Sequence, residues 1–202
     1  MGKVIGFGKE IEGVVEGCSK EQSRYNLHNV LFEGKYAIST DGHILIKAPL
    51  IEFDGEDLPA DTEVSPPIEP VTIHKDTIKK ALKIAPSKSS IPVLNYTFIS
   101  VKDDKVELIS TDLDTVNKIE QRLEEINFPP VQEVIDSEGE KATLEISFMV
   151  DVLEKALTIA RKLTGNRPTP LKFRLFDDAT GAYIRFQTEN GEALMVVMPC
   201  KG

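Results

Sequence analysis

The sequence contains no tryptophan, two cysteines, three histidines and four methionines in 202 residues, and each shortage narrows what the chain can be. Cys18 and Cys200 stand near opposite ends without CxxC spacing, so free thiols in a reducing compartment, the cytoplasm, are expected. His28, His43 and His74 fall in different predicted strands, and none has a partner motif for metal binding or acid–base work. No apolar run approaches bilayer length, and the first thirteen residues lack the apolar core of a secretion signal. No serine or cysteine occupies a nucleophile-elbow context. Gly6-Phe7-Gly8-Lys9 has the look of a phosphate loop, but Lys3 stands where its first glycine should be and Glu10 where a Ser or Thr should bind magnesium. The acidic pairs Asp103-Asp104 and Asp177-Asp178 sit between strand-like runs, where turn chemistry explains them. These absences point away from an enzyme, and no cofactor or metal is expected.

What is present is repetition. The tetrapeptide Ile-Ser-Thr-Asp occurs at 38–41 and again at 109–112, an interval of 71 residues. Each copy ends a strand-like run behind a short amphipathic helix pattern, which points to duplication of one supersecondary unit. Ile11, Val14, Val15 and Cys18 follow the spacing i, i+3, i+4, i+7, and Ile78, Ala81, Leu82 and Ala85 repeat it. Met149, Val152, Leu153 and Ala156 repeat it again, continued by Leu157 and Ala160, so three helices are expected, each with one face toward a core. β-prone runs precede them at 4–7, 71–74 and 144–148. Three strand-like runs follow each helix: 29–33, 36–40 and 43–47; then 96–101, 105–111 and 115–122; then 171–176, 183–187 and 194–198. Asp41-Gly42 favours a tight hairpin turn.

The chain therefore reads as three βαβββ units at 1–57, 71–126 and 142–202, an α+β fold whose short loops require largely antiparallel sheets. The four-proline stretch 58–70 reads as a semi-rigid connector. The expected domains are a single unit with its connector over 1–70, and a two-unit domain over 71–202.

Charge is uneven. The net charge is −9, but residues 1–70 carry 6 Lys/Arg against 13 Asp/Glu, whereas residues 141–202 carry 9 against 7. Lys75, Lys79, Lys80, Lys83 and Lys88 crowd the second helix region against Asp76 alone. Lys155, Arg161, Lys162, Arg167, Lys172 and Arg174 follow in the third unit with no acidic residue among them. On charge alone the plainer reading is solvated helix faces; an acidic body with local basic faces can also hold DNA by its phosphates.

Several segments carry a family resemblance. Residues Tyr25 to Glu33, followed by Ser39-Thr40-Asp41-Gly42-His43-Ile44-Leu45, resemble the bacterial DNA sliding clamp, the beta subunit of DNA polymerase III. Ile91 to Asn95 with Val106 to Asp114, Val196 to Pro199, and Leu144 to Leu157 are similar to further segments of that family. The resemblance implies paired βαβββ units, sheets outside a ring, and helices lining a hole that holds duplex DNA. It gives the basic helices a role: Lys75, Lys79 and Lys83 share one helical face and are the first expected DNA contacts, followed by Lys80, Lys155, Arg161 and Lys162. It also implies a groove for peptide tails of polymerase and other replication proteins, formed by Thr40, Gly42, His43, Ile44, Leu45, Val196, Met198 and Pro199, with Pro129 and Val134 from an FPxxxxV-like element. Those residues read equally well as a hairpin turn and an ordinary core strand.

The chain departs from the family pattern in three ways. It has three units where the bacterial clamp has six, leaving one unpaired, expected to be the acidic first. Ile44 replaces the usual Arg, and the C-terminus is Cys200-Lys201-Gly202 rather than hydrophobic. Two functions follow as expectations: a homo-oligomeric processivity factor that binds duplex DNA, polymerase tails and a clamp loader, or a clamp-fold interaction module that does not encircle DNA.

Overall fold

A computed structural model of the chain describes residues 3–59, 62–67, 69–86, 89–136, 144–165, 167–176, 181–188 and 191–200. The chain divides into two compact units, unit 1 over Met1–Val131 and unit 2 over Gln132–Gly202.

In unit 1 the alternating apolar residues become strands with one face in the core. The first repeat runs β1 (Lys3–Phe7), α1 (Ile11–Glu16), β2 (Asn29–Glu33), β3 (Tyr36–Thr40), β4 (Leu45–Pro49) and β5 (Ile51–Asp54). The second runs β6 (Val71–His74), α2 (Lys75–Ile84), β7 (Thr97–Lys102), β8 (Lys105–Thr111) and β9 (Val116–Arg122). They form two antiparallel sheets, ordered β5-β1-β7-β8-β9 and β4-β3-β2-β6.

The orders show an exchange. The leading strand of each repeat pairs with the first strand after the other repeat's helix. β1 meets β7 through Gly6↔Phe98 and Phe7↔Thr97, and β6 meets β2 from Asn29↔His74 to Phe32↔Val71. One core results, in which Phe7, Val30, Phe32, Ile73, Ile78, Ile99 and Leu108 are buried together and the rings of Phe7 and Phe32 stack at 6.0 Å. This corrects the expected grouping: the first two repeats make the paired unit, and the third is alone. The physical reason is the strand exchange, which no facial periodicity encodes.

Neither helix of unit 1 stands on propensity. α1 has six residues, too few to persist alone, and is held by burying Ile11, Val14 and Val15. Gly17 ends it where a Cβ would lie 2.5 Å from Ser39 Oγ and 2.6 Å from Ile46 Cδ1, so glycine lets the helix end approach β3 and β4. Ser39 Oγ fixes that approach by donating to the Val14 carbonyl at 2.6 Å. α2 begins at His74, whose Nδ1 accepts from the Asp76 N–H at 3.2 Å, and stops at Ala85, extended before Pro86.

Two further differences concern strands and the connector. The expected run 43–47 is β4 at Leu45–Pro49, and β5 was not anticipated. The Asp41 carboxylate holds the N–H groups of His43 and Ile44 at 2.8 and 2.9 Å, keeping both residues in the turn. The proline-rich connector is tied to β7: the Val101 N–H donates to the Ser65 carbonyl at 2.7 Å, and the Ser65 N–H donates to Ser100 Oγ at 3.0 Å.

Unit 2 contains α3 (Gln132–Asp136), α4 (Val150–Leu163) and the antiparallel sheet β10 (Lys172–Arg174), β11 (Ala182–Thr188) and β12 (Gly191–Val197). Its core is small: Ala156, Ala160, Ile184, Phe186 and Val197, with Leu153, Phe148 and Met195 packed against them. Met149, Val152 and Leu157, expected to face a core, are exposed. A single three-stranded sheet has too little apolar surface to cover both flanks of a fourteen-residue helix. The expected strand 144–148 is reduced to one bridge, Ser147↔Cys200. Asp177 and Asp178 lie outside the described residues.

Candidate functional site

The duplicated tetrapeptide is first of all a turn. In each copy the isoleucine and serine (Ile38 and Ser39, Ile109 and Ser110) are buried at a strand end. The next two side chains organise the reversal. Thr40 Oγ1 and Thr111 Oγ1 each accept from the N–H two residues on, at 3.0 Å from Gly42 and from Leu113. Asp112 Oδ1 accepts from the N–H groups of Asp114 and Thr115 at 3.1 and 2.7 Å, as Asp41 does in the first copy. These donors hold both carboxyls below the usual aspartate range, backbone hydrogen bonds being the largest cause. Gly42 has φ +91° and Leu113, its counterpart, φ +79°, so the second copy places a branched side chain in the left-handed region.

Thr40, Gly42, His43, Ile44 and Leu45 thus share one hairpin, with Thr40 buried, Leu45 half-buried and Ile44 58% exposed at its tip. Arg24 braces it by donating to the Asp41 carbonyl at 3.0 Å. Phe128, beside half-buried Pro129, lines a different cleft of about 780 Å³, formed with the connector prolines Pro66, Pro67 and Pro70 and with Leu31, Val101, Leu123 and Ile126. None of the hairpin residues lines it. Val196, Met198 and Pro199 lie at the end of β12 in unit 2, where Val196 and Met198 lean over Gly181; a Cβ there would meet Val196 Cγ1 at 2.6 Å. Val134 falls in α3, and its side chain lies outside what the structure describes. The expected groove residues are therefore divided between the two units, and those of unit 1 do not share one cleft.

The basic residues assemble more tightly. α1 packs beside α2, and a cleft of about 500 Å³ on them is lined by Lys9, Lys20, Lys75, Lys79 and Lys83, opposed by Glu12 and Glu16. Its floor includes Val15, Leu82 and Cys18, whose thiol burial pushes up to about 11, so it is protonated and unreactive at neutral pH. Lys79, Lys80 and Lys83 are exposed, whereas Lys75 is half-buried and donates to the Ser19 carbonyl, tying α2 to the segment after α1. Lys75 thus has a structural task besides its charge. Lys80 lies outside the cleft lining. Lys155, Arg161 and Lys162 are exposed along α4 in unit 2.

Sequence reasoning missed Lys9, Lys20 and Arg24. Each is isolated among acidic or neutral neighbours, and only the fold brings the two lysines to the α2 row. Among the described residues no group of three or more His, Cys, Asp or Glu side chains is arranged to hold a metal, and no helix is long and apolar enough to cross a membrane.

With this geometry in view, the fold defines the class: an α+β protein of exchanged βαβββ repeats with antiparallel sheets, the architecture of a DNA clamp. The chain superposes with a TM-score of 0.65 on the crystal structure titled "Putative DNA polymerase III beta subunit" from Eubacterium rectale ATCC 33656. The two are 13% identical, and the match covers 97% of this chain and 50% of that one, so this chain spans about half the length of the structure it resembles. No protein-family model matches the sequence, and no curated protein matches it.

Proposed function

We propose that the chain is a sliding-clamp-like processivity factor that binds duplex DNA without sequence preference and tethers a polymerase through a peptide-binding surface. The observation that carries this reading is the lysine row of α2, joined by Lys9 and Lys20, on a fold like that of the "Putative DNA polymerase III beta subunit". Lysines on a rigid helix meet phosphates as point charges, and contacts of that kind place a protein on a duplex while leaving it free to move along it. The strongly acidic remainder of the first repeat disfavours DNA elsewhere.

Binding of a labelled duplex at several salt concentrations tests this. The affinity should fall steeply with salt, with a log–log slope of about 0.9 per phosphate neutralised. Lys79→Glu/Lys80→Glu/Lys83→Glu should weaken binding at least tenfold, with the thermal transition of unit 1 unchanged. Lys75 is left intact because of its bond to Ser19. An unaltered affinity in the triple variant would refute the DNA role.

The second reading, an interaction module that does not encircle DNA, is favoured by the exposed Ile44 and by Val196 and Met198, both largely exposed. These apolar side chains suit the flexible recognition of peptide tails. If polymerase-tail peptides bind and Ile44→Asp abolishes that binding while duplex affinity is absent throughout, the module reading replaces the first.

A further inference from the structure

The face of β2 and β6 that turns away from the core of unit 1 carries a trough that includes neither the lysine row nor the 40–45 hairpin. Val30, Phe32, Val71 and Ile73 are buried in the core. The alternate residues Asn29, Leu31, Thr72 and His74 therefore lie on the opposite face, with Leu31 paired to Thr72 and Asn29 to His74. Leu31 and Thr72 line the cleft of about 780 Å³, and Asn29 and His74 line a smaller cavity of about 230 Å³. The two adjoin, because Glu124 and Ile126 line both. The segment 123–128 that supplies these residues is held by Asn26 Nδ2, which donates to the Asn127 carbonyl at 3.4 Å. The outer edge of β6 is closed by one side chain. Gln121 Nε2 donates to the Thr72 carbonyl at 3.3 Å, and Gln121 Oε1 accepts from the His74 N–H at 2.9 Å. The trough is thus built entirely from residues of unit 1.

Its chemistry is apolar and acidic. Leu31, Val101, Phe128 and the connector prolines line the large cavity together with Glu69, Glu124 and Glu125, and no Lys or Arg lines either cavity. Among the described residues none of these three carboxylates is paired with a Lys or Arg. The small cavity adds the ring of Tyr25, which is 70% exposed. It also adds Asn29, whose Nδ2 donates to the Tyr25 and Asn26 carbonyls at 3.2 and 3.4 Å. Those bonds fix the amide and leave its buried Oδ1 without a partner, a state that favours an incoming donor. A guanidinium or ammonium head brings such donors together with a charge opposite to that of Glu124. We propose that the trough binds an extended, positively charged segment of a partner protein. Its apolar side chains fill the large cavity, and an arginine or lysine head enters the small one beside Glu124. The inference holds whether or not the lysine row binds DNA.

Fluorescence anisotropy on the whole chain tests it, with a labelled peptide of alternating leucine and arginine as the probe. Matching peptides of alternating leucine and serine, or leucine and glutamate, serve as controls. The leucine–arginine peptide should bind saturably, and the controls should not. Glu124→Lys/Glu125→Lys, at two exposed positions, should weaken that binding by roughly tenfold or more. Glu56→Lys/Asp57→Lys makes the same change of charge at exposed positions outside the trough and should leave the affinity within about twofold. Equal losses in the two variants overturn the proposal, because the peptide would then be answering to net charge alone. Equal binding of the leucine–serine peptide overturns it in favour of a purely apolar occupant. The absence of saturable binding by the leucine–arginine peptide overturns it outright.

Discussion

Units 1 and 2 are built from the same βαβββ pattern, and they differ in whether that pattern has a partner. In unit 1 the second β-strand of the first repeat carries Phe32 at 2% exposure, within a core that two repeats supply together. In unit 2 the corresponding strand carries Phe173 at 48%, and the core is chiefly two alanines of α4 against Ile184, Phe186 and Val197. The repeat is a half-structure. Its amphipathic helix and three strands suffice to fold a sheet, but its flanks are finished only by another repeat.

The largest expected effect follows from that contrast. Phe32→Ala removes a stacked ring from a filled core and should cost about 3–5 kcal/mol. Phe173→Ala should cost less than about 1 kcal/mol, because a half-exposed ring leaves no cavity. Denaturant titrations of the two variants measure both. Equal losses would mean that unit 2 is as fully packed as unit 1.

A smaller effect separates the two copies of the turn inside unit 1. Leu113 occupies a left-handed conformation that its counterpart Gly42 adopts without strain. Leu113→Gly should raise stability by up to about 1 kcal/mol, the strain relieved less the added flexibility of the unfolded chain. Gly42→Leu should lower it by a similar amount, and its side chain would also press on Arg24, whose Nη1 lies 2.9 Å from the Cβ position. Thermal melts of the two variants should move in opposite directions.

The smallest effect is a pH dependence shared by both turns. Asp41 and Asp112 hold fewer protons when folded than when unfolded, since hydrogen bonds from turn N–H groups depress both. Their stabilisation is therefore complete above the ordinary aspartate value of about 4 and is lost as pH falls through the lower folded values. Asp41→Asn/Asp112→Asn should flatten the acid limb of a stability–pH curve and leave its neutral region with the same slope. His74 acts in the same direction nearer neutrality: burial lowers its pKa, so protonation below its ordinary value of about 6.5 opposes folding and weakens the α2 cap.

Much of unit 1 was legible from residue spacing. The helical faces of Ile11–Val15 and Ile78–Ala81 are buried as their periodicity requires, and β2 and β3 match the expected ranges. The strand exchange was not legible, because alternation says which face of a strand is buried and nothing about which strand lies along its edge. That gap is why the first repeat, rather than the third, was expected to be single. In unit 2 the spacing of α4 predicts a wider core face than the one found, because periodicity does not say how much of a stripe the neighbouring sheet covers. The basic site divides in the same way. The α2 lysines stand in one run and were visible, whereas Lys9 and Lys20 join them only through the packing of α1 beside α2.

The distinction between a paired and an unpaired repeat is tested most directly by amide hydrogen exchange of β2 and β10. The N–H groups of Asn29–Glu33 should exchange only through the global unfolding of unit 1, and those of Lys172–Arg174 should exchange faster by orders of magnitude. Equal protection of the two strands would contradict the account.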